Sequence, residues 1–177
     1  MNISQLHEKQ REKQEKQKIA IYESNLKMVV LTSRFTTSNW EQNKKFRQEN
    51  NIKTIYGSPI QITDKIPYYK NCLVLEMNND TNKLMGVGLI SNYPHYNKYR
   101  IYKNRDDRYI YKSNKHTPFN DVTPELALTI EVLEQLCFYG NQHLKRGSGL
   151  QRFPTKYLYR LREHLNIVEI LGKLFMD

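Results

Sequence analysis

Two apolar runs, Cys72 to Met77 and Leu84 to Ile90, stand on either side of the polar segment Asn78 to Lys83. Each run has the length of a buried strand, and the segment between them is made of residues that favour tight turns. The stretch from Asn71 to Tyr93 therefore predicts a β-hairpin at the centre of a small sheet, and the rest of the chain must be arranged around it. Gly86 and Gly88 alternate on one face of the second strand. Their missing side chains let a neighbour, either a packed helix or a ligand, approach the backbone there.

The flanking elements follow from local signals. Residues 4–20 are almost entirely Lys, Arg, Glu and Gln, with Glu8, Glu12 and Lys16 four apart. Such a segment can form a helix held by weak ion pairs, but it has no stripe to bury. Residues 1–26 are therefore expected to be a charged N-terminal helix or arm. KMVVLTSRF (27–35) predicts a first strand, and Thr37, Ser38 and Asn39 offer caps for a helix over 40–49. A second strand is expected over 52–56, closed by Gly57-Ser58-Pro59. YRIYK (99–103) and RYIYK (108–112) predict a second hairpin around the loop Asn104 to Asp107. Thr123, Pro124 and Glu125 open a helix whose Leu126, Ile130, Leu133 and Cys137 share a face, with Gly140 as its stop. After Pro154, one amphipathic helix is expected, carrying Leu158, Leu161, Leu165, Val168, Leu171 and Phe175. The expected organisation is a charged arm over 1–26, an α+β domain over 27–155 and a C-terminal amphipathic helix over 156–177.

Charge is where composition informs function. The 177 residues carry 28 Lys and Arg against 18 Asp and Glu, a net charge of +10. Residues 93–116 hold seven bases against Asp106 and Asp107, and residues 141–162 hold six bases and no acid. Between them, residues 117–140 hold four acids and no base. Clustered positive charge of this kind suits a surface that meets phosphates. Arg100, Arg108, Lys145, Arg146 and Arg152 are the expected phosphate contacts. Eight of the thirteen tyrosines fall between Tyr68 and Tyr111. Aromatic rings interleaved with Lys and Arg suit unpaired bases better than a duplex groove. The apolar runs are too short for a membrane span, and the N-terminus lacks the apolar centre of a signal peptide. An intracellular protein, in cytoplasm or nucleus and without a membrane partner, is expected. Cys72 and Cys137 lie in apolar runs and are expected as buried thiols. Heavy use of Lys, Asn, Ile and Tyr suits an AT-rich genome, such as that of a large DNA virus or a parasite.

The motifs of catalysis are missing. The histidines do not pair at zinc-ligand spacing, and neither CxxC nor HExxH occurs. Gly147-Ser148-Gly149 matches neither a nucleophile elbow nor a Walker loop. Gly86-Val87-Gly88 lacks the third glycine of a dinucleotide fingerprint. A metal-dependent nuclease would have to be assembled from Asp64 and Glu76 alone. Accordingly no catalytic residue, metal or cofactor is expected.

VVLTSRF with NWEQN, the hairpin CLVLEMNNDTNKLMGVGLI with its G-x-G, and NKHTPFNDVTPELA occur in an order that resembles the PUA-like superfamily, specifically its EVE/YTH branch. The resemblance covers roughly residues 27–155 through short motifs. It implies an α+β fold, a small mixed sheet or partly closed β-barrel flanked by helices. It also implies a pocket for a flipped or modified base between the first strand's end, the following helix and the hairpin. By position, Thr32, Ser33, Arg34, Asn39, Trp40, Tyr56 and Ser58 would line that pocket.

The leading expectation is a non-catalytic nucleic-acid-binding module for RNA or single-stranded DNA. In it Arg34, Trp40 and Tyr56 touch a base. The alternative is a structural or assembly protein that docks on a protein partner through residues 155–177.

Overall fold

The structure, a computed structural model, describes residues 2–96, 99–105 and 107–176. Lys98 and Asp106 of the first basic stretch lie outside the described residues. The central hairpin forms as expected: β3 (Asn71–Asn78) pairs antiparallel with β4 (Lys83–Ser91), Val74 opposite Gly88. β1 (Val29–Phe35) lies on the other side of β3 and runs parallel to it, Leu31 opposite Val74. A parallel neighbour needs a crossover, supplied here by α2 (Thr37–Asn50), β2 (Thr54–Ser58) and the loop 59–70. Two short strands complete the sheet, β6 (His116–Pro118) beyond β4 and β7 (Gln151–Arg152) beyond β1, giving the order β6-β4-β3-β1-β7.

β3 reads as a nearly continuous apolar run because both of its faces are covered. Cys72 and Val74 enter one core with Leu31, Phe35, Trp40, Ile55, Tyr56 and Tyr111. Leu73, Leu75 and Met77 enter a second core on the opposite face. That second core is closed by α3 (Pro124–Phe138), α4 (Thr155–Leu161) and α5 (Ile167–Lys173). α3 starts where its signals put it, with the Thr123 hydroxyl accepting the Leu126 N–H, and buries Leu126, Leu133 and Cys137. Both cysteines are free and buried.

The α+β fold with a mixed sheet forms as expected, five-stranded with a separate two-stranded sheet, and among the described residues the strands do not close into the barrel that was its alternative. Three expectations are corrected. The second hairpin does not form. β5 (Tyr109–Ser113) pairs antiparallel with β2, Tyr111 opposite Tyr56, while residues 99–103 are not a strand. Ile101 and Tyr102 are instead buried individually in the first core, with the Asn43 amide donating to the Tyr102 hydroxyl at 3.0 Å. Gly57 and Ser58 belong to β2 rather than to a turn after it. The single C-terminal helix is two helices, because the Asn166 side chain accepts the Glu169 N–H and starts a new helix. Leu158 and Leu171 are buried, so the stripe of 155–177 covers the chain's own second core.

The N-terminal segment is a 23-residue helix, α1 (Ile3–Asn25), started by a reciprocal capping box between Asn2 and Gln5. It buries no side chain. Its second half is fastened to α4 and β7: Arg160 donates to both Glu15 oxygens at 2.9 and 3.0 Å, Glu23 accepts from Arg152 of β7 and from the Thr155 hydroxyl, and Tyr22 packs edge-on against Tyr159. Among the described residues, no helix is long and apolar enough to cross a membrane.

Candidate nucleic-acid interface

The hairpin's glycines are explained by an ionic centre inside the first core. Glu76 of β3 sits on the same face as Cys72 and Val74, and its side chain is fully buried. Burying a carboxylate is costly unless every lone pair is engaged. Here Arg47 of α2 donates to Oε1 at 2.7 Å, the Tyr56 hydroxyl donates to Oε1 at 2.8 Å, and His116 Nε2 lies 2.9 Å from Oε2. The Arg47 guanidinium also lies over the Trp40 and Tyr56 rings, 5.4 and 5.6 Å from their centroids. Burial pushes the Glu76 carboxyl up, but the His116 hydrogen bond and the Arg47 charge outweigh it and hold it below its usual value. Burial, then the Glu76 charge, push the Tyr56 phenol well above 10. A Cβ at Gly86 would lie 2.8 Å from the Thr117 carbonyl and 3.0 Å from Glu76 Oε2. One at Gly88 would meet the Tyr56 hydroxyl and Thr54. The neighbours admitted by the two glycines are therefore the chain's own Glu76, Tyr56 and β6.

This arrangement revises the expected base pocket. Thr32, Ser33, Trp40, Tyr56 and Ser58 are all buried. Trp40 packs edge-on against Phe35 at 5.1 Å, and the Ser58 hydroxyl donates to the Ile60 carbonyl. Asn39 is half-buried in the first turn of α2, its N–H bound to the cap residue Thr36. Arg34 is half-buried. No base can reach Trp40 and Tyr56 together without opening the core. The fold does not gather them in one place: Trp40 and Tyr56 pack in the first core, whereas Arg34 faces the other side of the sheet, beside Leu144 and the second core. Glu76 is likewise committed to Arg47, Tyr56 and His116. Among the described residues, no group of three or more His, Cys, Asp or Glu could hold a metal ion.

The expected phosphate contacts divide into three places. Arg34 Nε donates to the Leu144 carbonyl at 2.6 Å, and the Asn79 amide donates to the Lys145 carbonyl at 2.9 Å. Lys145 in turn donates to Asn82 at 2.8 Å. These bonds hold the loop carrying Lys145 and Arg146 against the β3–β4 turn and the end of β1. One edge thus collects Arg34, the half-buried Lys145 and the exposed Arg146. Arg100 and Arg108 are exposed on the segment leading to β5. With Lys103, Arg100 borders a depression of about 390 Å³ against α2. Arg152 is ion-paired with Glu23 and is not free for a phosphate.

Of the tyrosines between 68 and 111, Tyr102 and Tyr111 are buried and Tyr99 and Tyr109 half-buried, while Tyr68, Tyr69, Tyr93 and Tyr96 are exposed. These four were not among the residues singled out from the sequence. Their only signal was local tyrosine density, which does not separate packed rings from presented ones.

The fold and these sites define an α+β protein with a buried ionic centre, a basic edge at one end of its central hairpin and exposed aromatic rings at the other. No protein-family model matches the chain, and no curated protein matches it either.

Proposed function

We propose that this chain is a non-catalytic nucleic-acid-binding module for RNA or single-stranded DNA. The observation that supports it best is the meeting of Arg34 with the Lys145–Arg146 loop, more than a hundred residues away in sequence, on one sheet edge. Phosphate contacts of this sort position a strand and supply most sequence-independent affinity. The net charge of +10 adds long-range attraction. A PUA-like relationship and an intracellular setting belong to the same reading. The base pocket around Trp40 and Tyr56 does not, because both side chains are buried. The assembly alternative loses its support, since the apolar stripe of 155–177 is largely consumed within the chain.

The test is charge reversal at the edge. Replacing Lys145 and Arg146 with Glu should weaken binding of a labelled single-stranded 15-mer at least 10-fold in fluorescence anisotropy, with the unfolding midpoint held. Equal reversal of Lys9 and Lys13 on α1 should do far less. Equal losses from both pairs would reduce the reading to nonspecific charge attraction.

A further inference from the structure

The second feature that could meet a strand lies at the opposite end of the central hairpin. β3 and β4 are antiparallel, so the loop entering β3 and the segment leaving β4 emerge side by side at the Asn71–Ser91 end. Asn92 knits them together. Its N–H donates to the Lys70 carbonyl, its carbonyl accepts the Tyr69 N–H, and its amide donates to the Ile66 and Pro67 carbonyls. On this frame Tyr69 and Tyr93 stack with centroids 5.1 Å apart and planes 13° from parallel, and His95 meets Tyr93 edge-on. Gln61 bridges two further rings, donating to the Tyr96 hydroxyl and accepting from the Tyr68 hydroxyl. Tyr96 in turn packs edge-on against Tyr109.

Two observations separate this cluster from ordinary surface tyrosines. Tyr68, Tyr69 and Tyr96 are each more than 60% exposed, so their rings stabilise little by burial. Tyr69 also has φ of 64°, a backbone region that bulky side chains rarely enter. Strain at a residue that stays 69% exposed is the kind associated with a presented functional side chain. The surroundings are cationic. Lys112 is near enough to His95 to depress its pKa, second to burial. Arg108 precedes Tyr109, and the exposed Lys65 lies in the entering loop, against Asp64, while Lys70 is half-buried and donates to the Leu26 carbonyl. A neutral sugar or a proline-rich peptide would gain nothing from those charges, whereas a strand of phosphates would.

We infer that Tyr68, Tyr69, Tyr93, His95 and Tyr96 form a stacking terrace for the unpaired bases of a single-stranded nucleic acid. This rests on the function proposed above and deepens it. The Lys145–Arg146 loop, docked on Arg34, holds phosphates, and the terrace reads the absence of a complementary strand. The two lie toward opposite ends of β3, a strand about 23 Å long at the usual rise, so a 15-mer is long enough to reach from one to the other. Rings already fixed by stacking and by Gln61 lose little freedom when a base arrives.

The experiment compares a single-stranded 15-mer with a duplex of the same length in anisotropy titrations across salt. Tyr93→Ala and Tyr69→Asn should each weaken single-strand binding about 10-fold, leaving duplex affinity and the salt slope unchanged. Tyr93→Phe should bind as the wild type, because the ring face survives. The unfolding midpoint controls for folding, and Asn tolerates the left-handed backbone at position 69 better than Tyr does. If the Ala and Asn variants bind the single strand as the wild type does, with its salt slope intact, the terrace is wrong and the basic edge stands. If instead they lose a proline-rich peptide or an oligosaccharide while keeping the single strand, the terrace belongs to that ligand and the inference falls. No binding of either nucleic acid by the wild type overturns both readings.

Discussion

Arg47 Nη2 stands 2.7 Å from Glu76 Oε1 inside the first core, with the two side chains 8% and 0% exposed. This pair joins the crossover helix α2 to the central strand β3. A buried pair is weak evidence of net stabilisation, but removing one partner strands the other charge in a low-dielectric interior. Arg47→Met should therefore cost about 3–5 kcal/mol in urea unfolding, and adding Glu76→Gln should recover part of the loss. Additive losses would mean the two side chains do not interact.

The same centre predicts an acid limit. The folded Glu76 carboxyl lies below its ordinary value of 4.5, so the unfolded chain takes up its proton first. Its contribution is complete above about pH 4.5 and is lost as pH falls through the lower folded value. The Tyr56 phenol, raised well above 10, behaves in the opposite sense at the alkaline end. Its contribution is complete below about pH 10 and fades above it. Urea midpoints at stepped pH should fall at both extremes, and Glu76→Gln should flatten the acid limb. An unchanged acid limb in that variant would assign it to other carboxylates.

Gly88 is required by space. Gly88→Ala should destabilise by about 1–3 kcal/mol, the usual range for overpacking. Tyr56→Phe in the same chain should relieve part of this, because the phenol oxygen is one of the atoms the new Cβ meets. Thr54 Cγ2, at 2.7 Å, is the other and keeps the relief partial. A double-mutant cycle on unfolding free energies measures the coupling.

Burial raises both thiols to about 12. Since the thiolate is the reacting species, Cys72 and Cys137 should resist a disulfide reagent at pH 8 until the chain is unfolded, then react together. Rapid reaction of either in the native protein would place it at the surface.

What was legible in the sequence was what local patterns decide. The hairpin, the first strand and the start of α3 all have dense, agreeing signals: apolar runs, turn residues, and Thr123 with Pro124. The second hairpin failed because YRIYK and RYIYK look alike to any pattern rule, yet only the latter finds a partner, and that partner is β2. Pairing across some fifty residues leaves no local trace. The split between α4 and α5 was hidden because the apolar spacing continues through Asn166, whose capping role depends on its backbone. At the candidate site, residue type pointed to Lys145 and Arg146 for phosphates and to Arg34 for a base, but could not show that the three meet. Trp40 and Tyr56 have the residue types of ligand walls, yet they shelter Arg47 and Glu76. Burial is a property of the whole fold, and neither an aromatic residue nor a glycine announces which neighbour it serves.

The central claim is that this basic surface binds nucleic acid through phosphate neutralisation. The most direct measurement is the affinity of the full chain for a single-stranded 15-mer from 50 to 300 mM salt. The account predicts a linear fall of log K with log salt, its slope near 0.7 for each phosphate engaged, made shallower by about one contact's worth for each of Lys145 and Arg146 replaced. An affinity that does not change with salt, or a slope untouched by those substitutions, would contradict it.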